Sequence, residues 1–187
     1  DGAELIVLPE FWLCGFDRES FVEDVRRCAQ PLDGPAVERL RRSARAHGLH
    51  LVAGTIPEQD GERCFNTAVM IGPDGELIAR HRKAHLYGEL EQQCFVPGNS
   101  LTVIEGTPFG TIGLSVCFDG DSPETARAMR ERGVRLVLQP AAYDEPAESW
   151  WDRLYPAHAL VNGQWWVLAN QAGSHRSTSL FGRSCVI

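Results

Sequence analysis

No run of 18 apolar residues occurs in this 187-residue chain, which excludes a hydrophobic transmembrane helix. Long blocks of like charge are also missing. The formal balance is 18 basic against 25 acidic residues, a net charge of −7, and this argues against nucleic acid as the main partner. Arg39, Arg41, Arg42 and Arg45 form a basic cluster that reads as the solvated face of a helix. Six cysteines are present, yet no two stand in a CxxC pair, and their wide spacing fits reduced thiols in the cytoplasm better than a disulfide framework. Nor is a metal centre expected. His81 and His85 have i, i+4 spacing, but the pair lacks a zincin glutamate and has two cations, Arg82 and Lys83, between its members.

What is present is the pattern of one α/β domain with a sizeable core, at 43% hydrophobic residues. Residues 3–8 form a short apolar run that reads as a strand buried on both faces, ending at Pro9-Glu10. Residues 16–28 have helical spacing, Pro31 to Pro35 read as a turn, and Val37, Leu40, Ala44 and His47 follow helical spacing closed by Gly48. Strands are expected over 49–56, 63–71 and 76–80, the last two joined by the hairpin signal Gly72-Pro73-Asp74-Gly75. Residues 82–91 lack periodicity and read as an irregular loop, with Pro97-Gly98 marking its end. Further strands are expected over 101–104, 108–116, 134–138, 165–170 and 179–187, with helices over 123–132 and 149–162. Trp150, Trp151, Trp165 and Trp166 read as core or interface aromatics.

The stretch from Gly110 to Glu124 organises the rest. Ile112, Leu114 and Val116 alternate with small residues, as a strand requires, and Ser122-Pro123-Glu124 has the chemistry of a helix start. Cys117 then stands between a strand end and a helix N-terminus, a position that favours a thiolate. Glu10, Cys117, the Tyr143 segment and Asn170 all fall at strand exits, where open α/β sheets gather functional groups.

Several blocks together resemble the carbon–nitrogen hydrolases, the nitrilase superfamily. They are Leu8-Pro9-Glu10, Arg82-Lys83-Ala84-His85-Leu86, Glu91 ahead of Pro97-Gly98, Gly113-Leu114-Ser115-Val116-Cys117-Phe118-Asp119, Pro140-Ala141-Ala142-Tyr143, Ala169-Asn170-Gln171-Ala172-Gly173 and Phe181-Gly182-Arg183-Ser184. The resemblance implies an αββα sandwich, four-layered in a homo-oligomer. It also implies a single domain over residues 1–187 that lacks the family's first strand and helix and its last strands. It assigns Cys117 as nucleophile, Glu10 as proton carrier, Lys83 as oxyanion stabiliser and Glu91 as a positioning group, with no metal or organic cofactor. The activity implied is hydrolysis of a small linear amide or carbamoyl compound through a thioester. A nitrilase, a glutaminase or acyltransferase of the same superfamily, and an inactive interaction protein are the alternatives. Phe118-Asp119 after the cysteine favours amides over nitriles. Asp121 stands where members often carry an arginine, which turns the expectation away from carboxylate-bearing substrates and suggests an amine-accepting position. Phe11, Trp12, Tyr87, Phe118 and Tyr143 are the expected pocket residues.

Overall fold

Apolar residues in the longest strands alternate in two directions, and this alternation builds the layers. The structure, a computed structural model, describes residues 2–187. The first half contains β1 (Leu5–Val7), α1 (Phe21–Cys28), α2 (Pro35–His47), β2 (His50–Asp60), β3 (Arg63–Ile71), β4 (Leu77–Arg82) and α3 (Gly88–Cys94). The second contains β5 (Thr102–Thr107), β6 (Gly110–Leu114), α4 (Pro123–Glu131), β7 (Leu136–Ala141), α5 (Glu148–Asn162), β8 (Trp165–Asn170), β9 (Ala172–His175), β10 (Thr178–Phe181) and β11 (Cys185–Val186).

One sheet has the order β1-β2-β3-β4, the other β11-β8-β7-β6-β5, and β9 and β10 form a separate hairpin. Parallel pairing joins β1 to β2 and runs through β6, β7 and β8, while the other pairs are antiparallel. Val52 and Met70 of the first sheet meet Ile104, Ile112, Leu114 and Leu138 of the second. Their sequence neighbours Leu51, Ala53, Val69 and Ile71 point the other way, onto Leu40 and Ala44 of α2. On the far side of the second sheet, Val137, Trp166 and Leu168 pack with Ala126 and Met129 of α4 and with Trp151, Tyr155 and Ala159 of α5. The layers therefore run helix, sheet, sheet, helix, the expected αββα sandwich. Each large side chain buried in them contributes about 1.5–3 kcal/mol.

Several sequence expectations are corrected. β1 is the edge strand of its sheet, with Ile6 37% exposed, so it is not covered on both faces. An apolar run does not distinguish an edge from a centre. β2 continues to Asp60 and turns directly into β3, longer than its expected 49–56. Residues 88–94 form α3; two turns held by Leu90 and Cys94 are too short to show a period. The stretch 179–187 is split between β10 and β11, broken where Gly182 and Arg183 adopt positive φ. β6 ends at Leu114 rather than at the cysteine. Ser122 Oγ donates to Glu124 (2.6 Å) instead of capping α4. Of the arginine cluster, Arg41 and Arg45 are latched to the β3–β4 turn through Gly75 O and Asp74 O. Trp151 and Trp166 are core, whereas Trp150 and Trp165 are exposed.

Candidate active site

Glu10 leaves the end of β1 in a turn that the neighbouring strand makes room for. β2 carries a bulge between Val52 and Thr55, with Gly54 at φ +50. A Cβ at Gly54 would stand 2.0 Å from Pro9 O, so glycine is required for this approach. Phe11 has φ +54, rare for a non-glycine residue, and is held by its N–H donating to Thr55 Oγ1 (2.9 Å). The Glu10 backbone is tied to the second sheet: its N–H reaches Ala141 O (3.3 Å), and Gln171 Nε2 donates to its carbonyl (2.5 Å).

Lys83 follows β4 directly. Its backbone N–H donates to Asn66 O and its carbonyl accepts from Gly98, which fixes the residue on both sides. The ammonium lies between two carboxylates, 2.9 Å from Glu10 Oε1 and 2.7 Å from Glu91 Oε1, and the side chain is fully buried. Glu10 Oε1 also accepts from Asn66 Nδ2 (2.8 Å), and Glu91 Oε2 from the Tyr87 N–H (3.0 Å).

Cys117 opens a 3-10 turn, Cys117–Asp121, and has φ +46. The turn is anchored by Asp119. One carboxylate oxygen takes the N–H groups of Ala84 and His85 and the His85 Nδ1 donor; the other takes His81 Nε2 (2.9 Å) and the Val116 N–H. The two histidines with metal-like spacing therefore join the Lys83 segment to the Cys117 turn. Positive φ at both Phe11 and Cys117, each costing about 1–3 kcal/mol, places backbone strain beside the acid and at the thiol.

The electrostatics differ from the sequence expectation. Burial pushes the Cys117 thiol well above its usual range, and Glu10's charge adds to this, while Lys83 opposes it insufficiently. Five residues separate Cys117 from the start of α4, so the helix dipole gives little help. Burial opposes the Lys83 ammonium, but Glu10, Glu91 and Cys117 outweigh it and hold its pKa well above the ordinary value. Glu91 is pushed up to about 7, chiefly by burial, with Lys83 pulling the other way. Burial also works against the Asp119 charge, yet the bonds from His81 and His85 hold its carboxyl far below the usual range.

Glu10, Glu91 and Cys117 line one cavity of about 330 Å³, and the buried Lys83 is bonded to both of its acids. Five of the residues expected at the pocket line it as well: Phe11, Tyr87, Phe118, Asp121 and Tyr143. Trp12 does not. Its indole N–H is turned back onto Ala53 O (2.6 Å), because the positive φ at Phe11 sends Phe11 rather than Trp12 toward the cavity. Sequence reasoning also missed Asn66, Tyr155, Arg18 and Trp150. Asn66 had a signal: with Thr67 it is a polar residue at a buried position next to the apolar run of β3. Tyr155 lies within helical periodicity and had none.

The chain can now be set beside known proteins. The family model described as carbon–nitrogen hydrolase matches residues 1–187. An omega-amidase of Xenopus tropicalis is 31% identical over all of this chain and 69% of its own length. A nitrilase of Pyrococcus abyssi is 34% identical over 99% of this chain and 68% of its own. Among solved structures, an amidase from Nesterenkonia sp. superposes with a TM-score of 0.85 at 32% identity, covering 100% of this chain and 70% of that one. In one crystal structure of that amidase the active-site cysteine carries the acetamide moiety of fluoroacetamide. With the whole length matched and the fold shared, this chain belongs to the carbon–nitrogen hydrolase family.

Proposed function

We propose that the protein hydrolyses the C–N bond of a small linear amide or carbamoyl compound, with Cys117 as nucleophile, Glu10 as proton carrier, Lys83 as oxyanion stabiliser and Glu91 as its positioning partner. The observation that carries this reading is the single ammonium held between two buried carboxylates at the base of the cavity that Cys117 lines. Lysine has three N–H donors. Two go to Glu10 and Glu91, and the third is left for a substrate oxygen. Glu10 has the same division of labour: Oε1 receives Lys83 and Asn66, leaving Oε2 for the thiol proton.

The Cys117 sulfur attacks the carbonyl carbon as Glu10 takes its proton. Negative charge on the carbonyl oxygen is met by Lys83 Nζ and the Phe118 N–H. Collapse of the tetrahedral adduct breaks the C–N bond, and Glu10 returns the proton to the departing nitrogen. A thioester remains, with ammonia or an amine released. Water, deprotonated by Glu10, adds to the thioester; the carboxylic acid leaves and the sulfur regains its proton.

Ammonia release from a panel of amides, carbamoyl amines and nitriles tests the reading. Cys117→Ala and Lys83→Ala are each expected to lower kcat/KM by about a thousandfold or more. A correctly folded variant of either kind with the parental rate would overturn it.

A homo-oligomer is part of the same proposal. Leu160, Val161 and Trp165, at the end of α5 and the start of β8, are 83%, 63% and 64% exposed, and together they offer an apolar face for a second copy. Cytoplasmic residence is supported by the six free thiols, which suit a reducing compartment. No helix among the described residues is long and apolar enough to cross a membrane.

A further inference from the structure

The proposed hydrolytic steps give no part to Asp121, although it lines the same cavity. It closes the 3-10 turn that Cys117 opens, four residues on. Its carboxylate is held unevenly. The hydroxyls of Tyr143 and Tyr155 both donate to one oxygen, Oδ1, the second at 2.8 Å. Among the described residues Oδ2 receives no hydrogen bond and is left to the cavity. A carboxylate oriented by two phenols, with one oxygen unused, is an acceptor set up for a donor from outside the chain.

The surrounding charges leave that acceptor unbalanced. Lys83 is committed to Glu10 and Glu91, and Arg18, the cation at the cavity rim, is paired with Asp144. His158, on α5, is pushed below the ordinary histidine range by burial, against the pull of Asp121. Four acidic side chains, Glu10, Glu91, Asp121 and Asp144, therefore line the space around Cys117 against two engaged cations, with burial raising the Glu91 and Asp121 carboxyls above their ordinary range. Such a field favours a cationic ligand and repels an anionic one.

We infer that Asp121 is a specificity-determining residue, whose Oδ2 receives the protonated amine at the far end of a short aminoalkyl amide while the amide carbon lies at Cys117. The inference rests on the hydrolytic reading of the same cavity. The Tyr155 hydroxyl that donates to Asp121 also lies 3.5 Å from the Cys117 carbonyl oxygen, which ties the Asp121 carboxylate to the turn that carries the thiol.

Three amides of equal length test this: 4-aminobutanamide, the neutral pentanamide and the anionic glutaramate. The expected order of kcat/KM is cationic, then neutral, then anionic, with the first two separated by about tenfold or more, as a charge-assisted hydrogen bond allows. In Asp121→Asn, whose amide oxygen still accepts from both tyrosines, the cationic-to-neutral ratio is expected to fall by about tenfold. An unchanged ratio overturns the inference. Binding of the same amides to Cys117→Ala protein, measured by titration calorimetry, separates the two proposals. If all three are hydrolysed without charge preference, the Asp121 inference fails alone. If none is hydrolysed, but the cation binds more tightly and loses that advantage in the Asp121→Asn, Cys117→Ala double variant, the hydrolytic reading fails and the subsite stands.

Discussion

At the scale of single residues, the decisive feature is that charge is placed around the sulfur rather than on it. Glu91 gives this a pH signature. Burial raises its carboxyl to about 7, and only the ionised form can accept from the Lys83 ammonium as an anion. As pH falls through about 7, Glu91 takes a proton and Lys83 loses one of its two anionic partners. The kcat/KM profile is therefore expected to decline on its acid side with an inflection near 7, and Glu91→Gln to abolish that inflection while lowering the plateau by about ten- to a hundredfold. A Glu91→Gln profile superimposable on the parent would contradict this. Glu10, Lys83, Glu91 and Cys117 were legible in the sequence as family blocks. The state of the thiol was not, because it depends on burial and on Glu10, 107 residues away in the chain. Trp12 was misassigned for a related reason: the backbone turn at Phe11 that redirects it comes from a bulge in a different strand.

At the scale of elements, Asp119 fastens the segment after β4 to the turn after β6, so that Lys83 and Cys117 stand in a fixed relation. Its five donors come from both sides of that junction. Asp119→Ala leaves them without an acceptor, and the expected cost is about 3–5 kcal/mol in denaturant unfolding, accompanied by loss of activity. The signs for pH follow from the two partners. The Asp119 carboxyl is depressed in the folded protein, so its contribution is present above the ordinary carboxylate range and disappears as pH falls through the lower folded value. His85 is raised, first by its bond to Asp119. Its contribution is full below the ordinary histidine value and is lost as pH rises through the folded one. With half of the His85 side chain exposed, that second effect is the smaller. Elements with local chemistry were readable in advance: α2, which ends on the left-handed Gly48, and the β3–β4 hairpin. α3, the β9–β10 hairpin and the edge position of β1 were not, because short elements and sheet order are decided by what packs on them.

For the molecule as a whole, the two sheets divide the proposed chemistry. The half built on β1–β4 and α3 brings Glu10, Lys83 and Glu91; the half built on β5–β8 brings Cys117, Asp121 and Tyr143. The exposed apolar face at α5 and β8 lies on the second half, and sedimentation at graded concentrations is expected to show a dimer or larger assembly; a monomer at every concentration would refute the proposed association. The αββα order was readable once the family blocks were recognised, while composition and periodicity alone reached only the α/β class. One consequence comes from the seam. Each sheet has its own ladder of backbone hydrogen bonds, whereas near the cavity the halves are joined by a few links such as Glu10 to Ala141, Gln171 to Glu10 and the Asp119 clamp. Warming is expected to loosen these few links before either ladder frays. Turnover is then expected to fade several degrees below the loss of far-ultraviolet circular dichroism and to return on cooling, so that the protein behaves as a thermal fuse; coincident loss of both signals would rule that out.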